Sequence, residues 1–240
     1  FAAQSQRTLG GSNSGPQVGP VILSEIMYHP PASTNGSVEI EFIELHNLSS
    51  DPVPLYDVTH PTNRWRLADA VAFVFPAAVS IPPRGYLLVV SFDPGADPVA
   101  LATFRAGYNV PESVPIYGPF AGRLDNAGEN LVLNQRDTPE PGTGFVPYVP
   151  YVLVDRVQYD NALPWPADGA DGDGQSLQKR HSQRALYGNE PTHWMAAAPT
   201  PGADNSEGTA PPPVVSRSPQ SGLVRADTPV TLEVAATGDA

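Results

Sequence analysis

Two apolar stretches near the start constrain the fold more than any other feature. Val21-Ile22-Leu23-Ser24-Glu25-Ile26-Met27 and Val38-Glu39-Ile40-Glu41-Phe42-Ile43-Glu44-Leu45-His46-Asn47 both read as strands, and a turn segment, Pro30 to Ser37, separates them. In the second, Ile43 and Leu45 share one face with Glu41, while Ile40 and Phe42 take the other. A strand apolar on both faces near its middle is expected at the centre of a sheet. Further strands are expected at Val53–Tyr56, Arg64–Leu67, Ala72–Phe75, Tyr86–Phe92, Asn130–Asn134, Tyr151–Tyr159 and Ser176–Lys179, most of them bounded by Pro, Gly, Asp or Asn. The 29 prolines and 21 glycines recur throughout the chain, which disfavours long helices and favours short strands joined by turns.

One segment invites a helix. Pro98 to Arg105 follows Asp97, a good N-cap, and Pro98 suits a first turn. About two turns are expected, ending at Gly107 and lying across an open end of a sandwich. Residues 1–20 are polar and rich in Gly, Ser and Gln, and read as a linker or the tail of an upstream domain. The main domain is expected over 21–205. Residues 206–213 form a Pro-rich linker, and 214–240 look like the truncated start of a second immunoglobulin-like or fibronectin-like domain, with strands at Val214–Val215 and Pro229–Val234. The chain starts with neither Met nor a signal peptide, so it reads as a piece of a longer protein.

Composition excludes several chemistries. There is no cysteine, hence no disulfide, thiolate metal site or cysteine nucleophile. Net charge is −12, from 25 acidic and 13 basic residues, which repels nucleic acid and suits divalent cations. No apolar run is long enough to span a bilayer. The five histidines, His29, His46, His60, His181 and His193, show no HxH or HExxH spacing for zinc, and His29 and His46, which could approach each other if their strands are neighbours, read as polar surface positions; no G-x-S-x-G marks a serine nucleophile.

The motifs, taken in order, resemble those of the bacterial lamin-tail-like domain. They are Ser24-Glu25-Ile26-Met27-Tyr28-His29-Pro30, Glu41-Phe42-Ile43-Glu44-Leu45-His46-Asn47, Trp65-Arg66-Leu67-Ala68-Asp69, Phe73-Val74-Phe75-Pro76 and Ile81-Pro82-Pro83-Arg84-Gly85-Tyr86-Leu87-Leu88-Val89. Later come Leu124-Asp125-Asn126-Ala127-Gly128-Glu129-Asn130-Leu131-Val132-Leu133, Asp155 to Tyr159, Pro164-Trp165-Pro166, Gly174 to Leu177, Trp194 and Pro201-Gly202-Ala203. Arg136 to Tyr151 and Asp57 to Asn63 depart from the pattern as longer connections. The resemblance implies an all-β fold, an immunoglobulin-like β-sandwich with one short helix, flanked by the end of one module and the start of another. It also implies a non-catalytic structural or interaction module of a large exported bacterial protein, extracellular or at the cell surface. The expected partners are neighbouring domains of the same chain, a cell-surface protein or a glycan, with no nucleic acid and no membrane span.

Candidate sites are few. Asp168, Asp171 and Asp173, alternating with Gly, read either as calcium ligands or as turn chemistry before the Ser176 strand. Calcium is therefore the one cofactor in view, and a calcium- or glycan-binding accessory domain beside a neighbouring enzyme is the alternative function. Tyr28, Tyr56, Trp65 and Tyr117 are weighed as a carbohydrate platform against a core role. Trp65, Trp165 and Trp194 are expected to pin two layers together. Glu25 and Glu44 are read as exposed at a sheet edge or hydrogen-bonded to backbone. Lys179, Arg180, His181 and Arg184 read as a solvated positive strand end. No triad or spaced carboxylate pair indicates catalysis.

Overall fold

A computed structural model describes residue 4 and residues 7–12, 17–32, 39–137 and 149–205, together with the backbone of Val214–Arg217 and Ala235–Thr237. The chain divides into two units, Phe1–Ser206 and Glu207–Ala240.

The first unit is an immunoglobulin-like β-sandwich. Its strands are β1 (Val21–Met27), β2 (Phe42–Asn47), β3 (Val53–Pro54), β4 (Arg66–Asp69), β5 (Val71–Val74), β6 (Ser80–Ile81), β7 (Tyr86–Val90), β8 (Ile116–Tyr117), β9 (Ala121–Gly122), β10 (Gly128–Arg136), β11 (Tyr151–Asp160), β12 (Ser176–Lys179) and β13 (Trp194–Ala197). A six-stranded sheet runs β13-β12-β1-β2-β7-β8 and a five-stranded sheet runs β11-β10-β4-β5-β9, with β3 and β6 paired separately. In the second unit β14 (Val214–Arg217) pairs antiparallel with β15 (Ala235–Thr237). The expected strand at Pro229–Val234 and the start of β2's segment at Val38 lie outside the described residues.

Between the two large sheets, side chains alternate into one core. Leu23, Ile26, Ile43, Leu45, Leu87 and Val89 meet Leu67, Leu131, Leu133 and Val157. Trp65, Trp165 and Trp194 all lie in this core, as expected of residues that pin two layers. Trp194 is 1% exposed, and its indole N–H donates to the Gly188 carbonyl at 2.6 Å, so its one polar atom is satisfied inside.

β1 and β2 are buried at every position. The reason lies on the outward side of the six-stranded sheet, which two separate pieces cover. The first is α1 (Pro98–Tyr108). Asp97 caps it by accepting from Ala100 N at 2.8 Å. It runs three turns rather than two, past Gly107, because Asn109 takes the left-handed φ of 55° that ends it. Phe104 of α1 packs with Met27, Phe42, Leu88 and Val90, so the helix lies on the sheet and not across an open end. The second piece is the segment 198–205 after β13. It covers the polar half of the same side, and what holds it there is the most unusual feature of the molecule.

Candidate functional site

β1 carries a bulge. Leu23 pairs with Leu45 and Glu25 with Glu44, which leaves Ser24 as the extra residue. Strict alternation would point Glu25 into the core with Leu23; the bulge turns it to the outward side, opposite Glu44. Both glutamates are fully buried. Glu44 accepts from the Ser24 hydroxyl and from Gly202 N, each at 2.6 Å. Glu25 accepts from the Ser176 hydroxyl, from Gln178 Nε2 at 3.3 Å and from Thr200 N at 3.1 Å. Asn205 Nδ2 closes the far end by donating to the Ser24 and Lys179 carbonyls at 2.8 and 2.9 Å. Thus 198–205 is a strap whose backbone N–H groups end on two buried carboxyls. Burial pushes the Glu25 carboxyl up to about 7, and Glu44 lies well above the usual range through burial and the neighbouring Glu25.

Beside this pair His46 stacks on Tyr86, with ring centroids 4.3 Å apart, and the Tyr86 hydroxyl donates to Asp204 Oδ1 at 2.6 Å. Burial lowers His46 to about 4, so it is neutral at pH 7. The expectation of a surface His46 is corrected: it is 6% exposed, because the strap covers its strand. Asp204 is held below the usual carboxylate range, first by the Tyr86 hydroxyl. His181 and Arg184 each approach it at 3.7 Å. The solvated strand end is likewise corrected at Lys179, which is 1% exposed and donates to the Leu186 carbonyl at 2.7 Å, its charge facing the buried Asp155 of the other sheet. The cavity among these groups measures about 10 Å³, no more than one water. Raised carboxyls of this kind can serve acid–base chemistry, but here they bind the chain's own backbone.

An open cleft of about 380 Å³ lies elsewhere, along the end of β10 and β11. Glu129, Gln158, Asp160 and Asn189 give it carboxylates and amides, and Leu163, Pro164 and Trp165 give it apolar walls. Several of these groups are half engaged. Asn189 Oδ1 accepts from Gln158 N at 2.6 Å, and Asp160 Oδ1 from Ala162 N at 2.9 Å. Glu129 Oε1 accepts from Asp125 N at 2.7 Å, and burial raises its carboxyl above the usual range. The arrangement can donate to and accept from a polar, uncharged ligand.

The Asp-Gly loop lies close to this cleft in sequence, between Trp165 and β12. Asp171 Oδ1 is 2.6 Å from His29 Nδ1, and Asp171 Oδ2 accepts from Asn161 Nδ2 at 3.4 Å. Asp168, Asp171 and Asp173 are all exposed. Among the described residues no group of three or more His, Asp or Glu side chains converges as a metal cluster. Of the aromatics weighed as a platform or as core, Tyr28 and Trp65 are buried in the core, Tyr28 stacked on Tyr159 at 4.7 Å, and Tyr117 packs against that core. Sequence reading missed the role of Asp204 and Asn205. The signal was present in Pro201-Gly202-Ala203, a turn motif placed after the last strand, but nothing local says which sheet face it covers.

The family model of the lamin tail domain matches residues 14–139, more than half of the chain. No curated protein and no solved structure matches it.

Proposed function

The chain belongs to the lamin tail domain family, and on that premise we propose that it is a non-catalytic structural and interaction module of a large exported bacterial protein. One observation supports this reading above the others. The two carboxyls best tuned for acid–base work, Glu25 and Glu44, are fully buried beneath the strap and accept hydrogen bonds from Thr200 N and Gly202 N. A catalytic pair has to face a substrate. Nor is any helix among the described residues long and apolar enough to cross a membrane.

Two measurements test the reading. The full chain is assayed against chromogenic glycoside, phosphodiester, ester and peptide substrates; no turnover is expected, and turnover abolished by Glu25→Gln or Glu44→Gln overturns it. Fractionation of the native cells is expected to find the protein outside the cytoplasm, and an exclusively cytoplasmic protein overturns the exported setting.

A glycan-binding accessory role is the second reading, favoured by the cleft. Its amides at Gln158 and Asn189 alternate with carboxylates at Glu129 and Asp160, the donor and acceptor mixture that sugar hydroxyls need. Glycan-array binding lost in Asn189→Ala supports it, and an array without binding removes it.

A further inference from the structure

The outward side of the five-stranded sheet bears charge opposite to that of the chain as a whole. Arg66 of β4 pairs with Asn134, Arg136 of β10 with Tyr151, and Arg156 of β11 with Val132, while Leu67, Leu131, Leu133 and Val157 face the core. Alternation therefore sends all three arginines outward. The Arg66 guanidinium carbon lies 3.5 Å from the Tyr151 ring centroid and that of Arg136 5.1 Å from it. Arg136 Nε also donates to the Tyr151 hydroxyl at 2.9 Å. Both guanidinium groups are thus fixed on one aromatic ring.

Among the described residues no carboxylate forms a salt bridge with Arg66, Arg136 or Arg156, whereas Arg105, Arg123 and Arg184 all have acidic partners. Among the same residues the buried Nε atoms of Arg66 and Arg156 have no hydrogen-bond partner, while Arg156 Nη2 donates to Gln158 Oε1 at 2.8 Å. The acidic residues on this side of β4, β5, β10 and β11 lie toward the other end of the sheet: Asp160 at the end of β11, and Asp69, whose Oδ2 accepts from Asn130 Nδ2 at 2.6 Å. Three cations in neighbouring rows repel one another, and an anion laid across them relieves that repulsion. In a chain of net charge −12 such a concentration is conspicuous.

We propose that this side of the sheet docks an acidic segment of a partner protein, rich in aspartate or glutamate, across Arg66, Arg136 and Arg156. The proposal rests on the interaction-module reading and gives it a surface. Guanidinium groups take carboxylates through two parallel N–H donors, a geometry lysine does not offer. Arginine and tyrosine are enriched at the centres of protein interfaces. Val74 on the same side is 49% exposed and offers apolar contact to residues interleaved with the acids. The negative charge elsewhere on the chain opposes a long, uniformly charged nucleic acid but not a short acidic segment guided to one cationic side.

The test uses a short fluorescein-labelled peptide of alternating glutamate and valine, titrated with the full chain at low ionic strength and followed by anisotropy. Saturable binding that weakens with added salt is expected, with affinity reduced about tenfold or more in Arg66→Gln/Arg136→Gln. Arg156→Gln leaves the Tyr151 stack in place and is expected to lose binding with an unchanged melting temperature, which separates lost contact from lost folding. No binding by the native chain, or equal binding by these variants, overturns the proposal. Preference for a DNA duplex or an oligogalacturonate of equal charge overturns the assignment to a protein segment and leaves the interaction-module reading standing. Failure of that reading registers separately, as turnover in the hydrolase assays.

Discussion

Glu25 and Glu44 stand opposite each other across the β1–β2 ladder, both without solvent contact, and each binds a different N–H of the same strap. Their folded-state values lie above those of an unfolded glutamate, to about 7 for Glu25. The native state therefore binds more protons than the unfolded state above the unfolded glutamate value, about 4.5. Their contribution is fully present below that pH; that of Glu25 is lost as pH rises through about 7, and that of Glu44 as pH rises through its own raised value. His46 acts in the opposite sense: its value falls to about 4, so its contribution is lost as pH falls from about 6.5. Melting temperature is expected to decline between pH 6.5 and 8, where the loss at the two glutamates exceeds the small opposing gain from the last half of the unfolded His46 titration. Thermal melts across that range check it, and a flat or rising profile removes the assigned protonation of the pair.

Replacing Glu44 separates charge from hydrogen bonding. Glu44→Ala leaves Gly202 N without its acceptor and the Ser24 hydroxyl with only the backbone carbonyl of residue 44, at 3.3 Å, a loss of about 2–4 kcal/mol. Glu44→Gln keeps an acceptor for Gly202 N, and its amide can donate to the Ser24 oxygen. It is expected to cost under about 1 kcal/mol at neutral pH and to flatten the decline between pH 6.5 and 8. Urea denaturation at two pH values measures both effects.

Much of the sandwich can be read from local pattern, and the site cannot, for a physical reason. β12 occupies Ser176–Lys179, as the alternation predicts, and β7, β10 and β11 overlap their expected stretches. The three tryptophans lie in the core because their size leaves few other places. β6, β8, β9 and β13 are missed: the first three have two residues each, too few to show alternation, and Trp194-Met195-Ala196-Ala197 has no polar residue to alternate with. Glu25 shares sequence parity with Val21 and Leu23, and only the bulge at Ser24 re-aims it. His46 reads as exposed because the strap that buries it arrives from the far end of the domain. Covering segments distant in sequence leave no periodic trace in the strand they cover.

Trp194 gives a direct measure of how far the end of the domain stabilises the sandwich. It is 1% exposed, packs near Trp165 with centroids 6.3 Å apart, and begins β13, the strand that leads into the strap. Trp194→Ala removes that payload and the bond to the Gly188 carbonyl. A loss of about 3–5 kcal/mol is expected by denaturant titration. A loss below about 1 kcal/mol means that β13 is dispensable to the core.

Asp155 and Lys179 test what joins the two sheets. Asp155 of β11 is 2% exposed and accepts from Leu23 N of β1 at 2.9 Å and from Arg156 N at 2.9 Å. Lys179 of β12 is the buried cation that offsets its charge, while burial raises the Asp155 carboxyl and lowers the Lys179 amine. Asp155→Ala strands that cation and the Leu23 N–H together, and is expected to cost about 3–5 kcal/mol. Lys179→Met leaves the carboxyl with its backbone donors and is expected to cost less, since a neutral Asp155 still accepts from Leu23 N. If the charges are coupled through the core, the double variant is less unstable than the sum of the two by about 1–3 kcal/mol. A double-mutant cycle in urea measures that difference. Simple additivity means that Asp155 acts through its backbone hydrogen bonds, from Leu23, Arg156 and Gly188, and that Lys179 is held by the Leu186 carbonyl without reference to its charge partner.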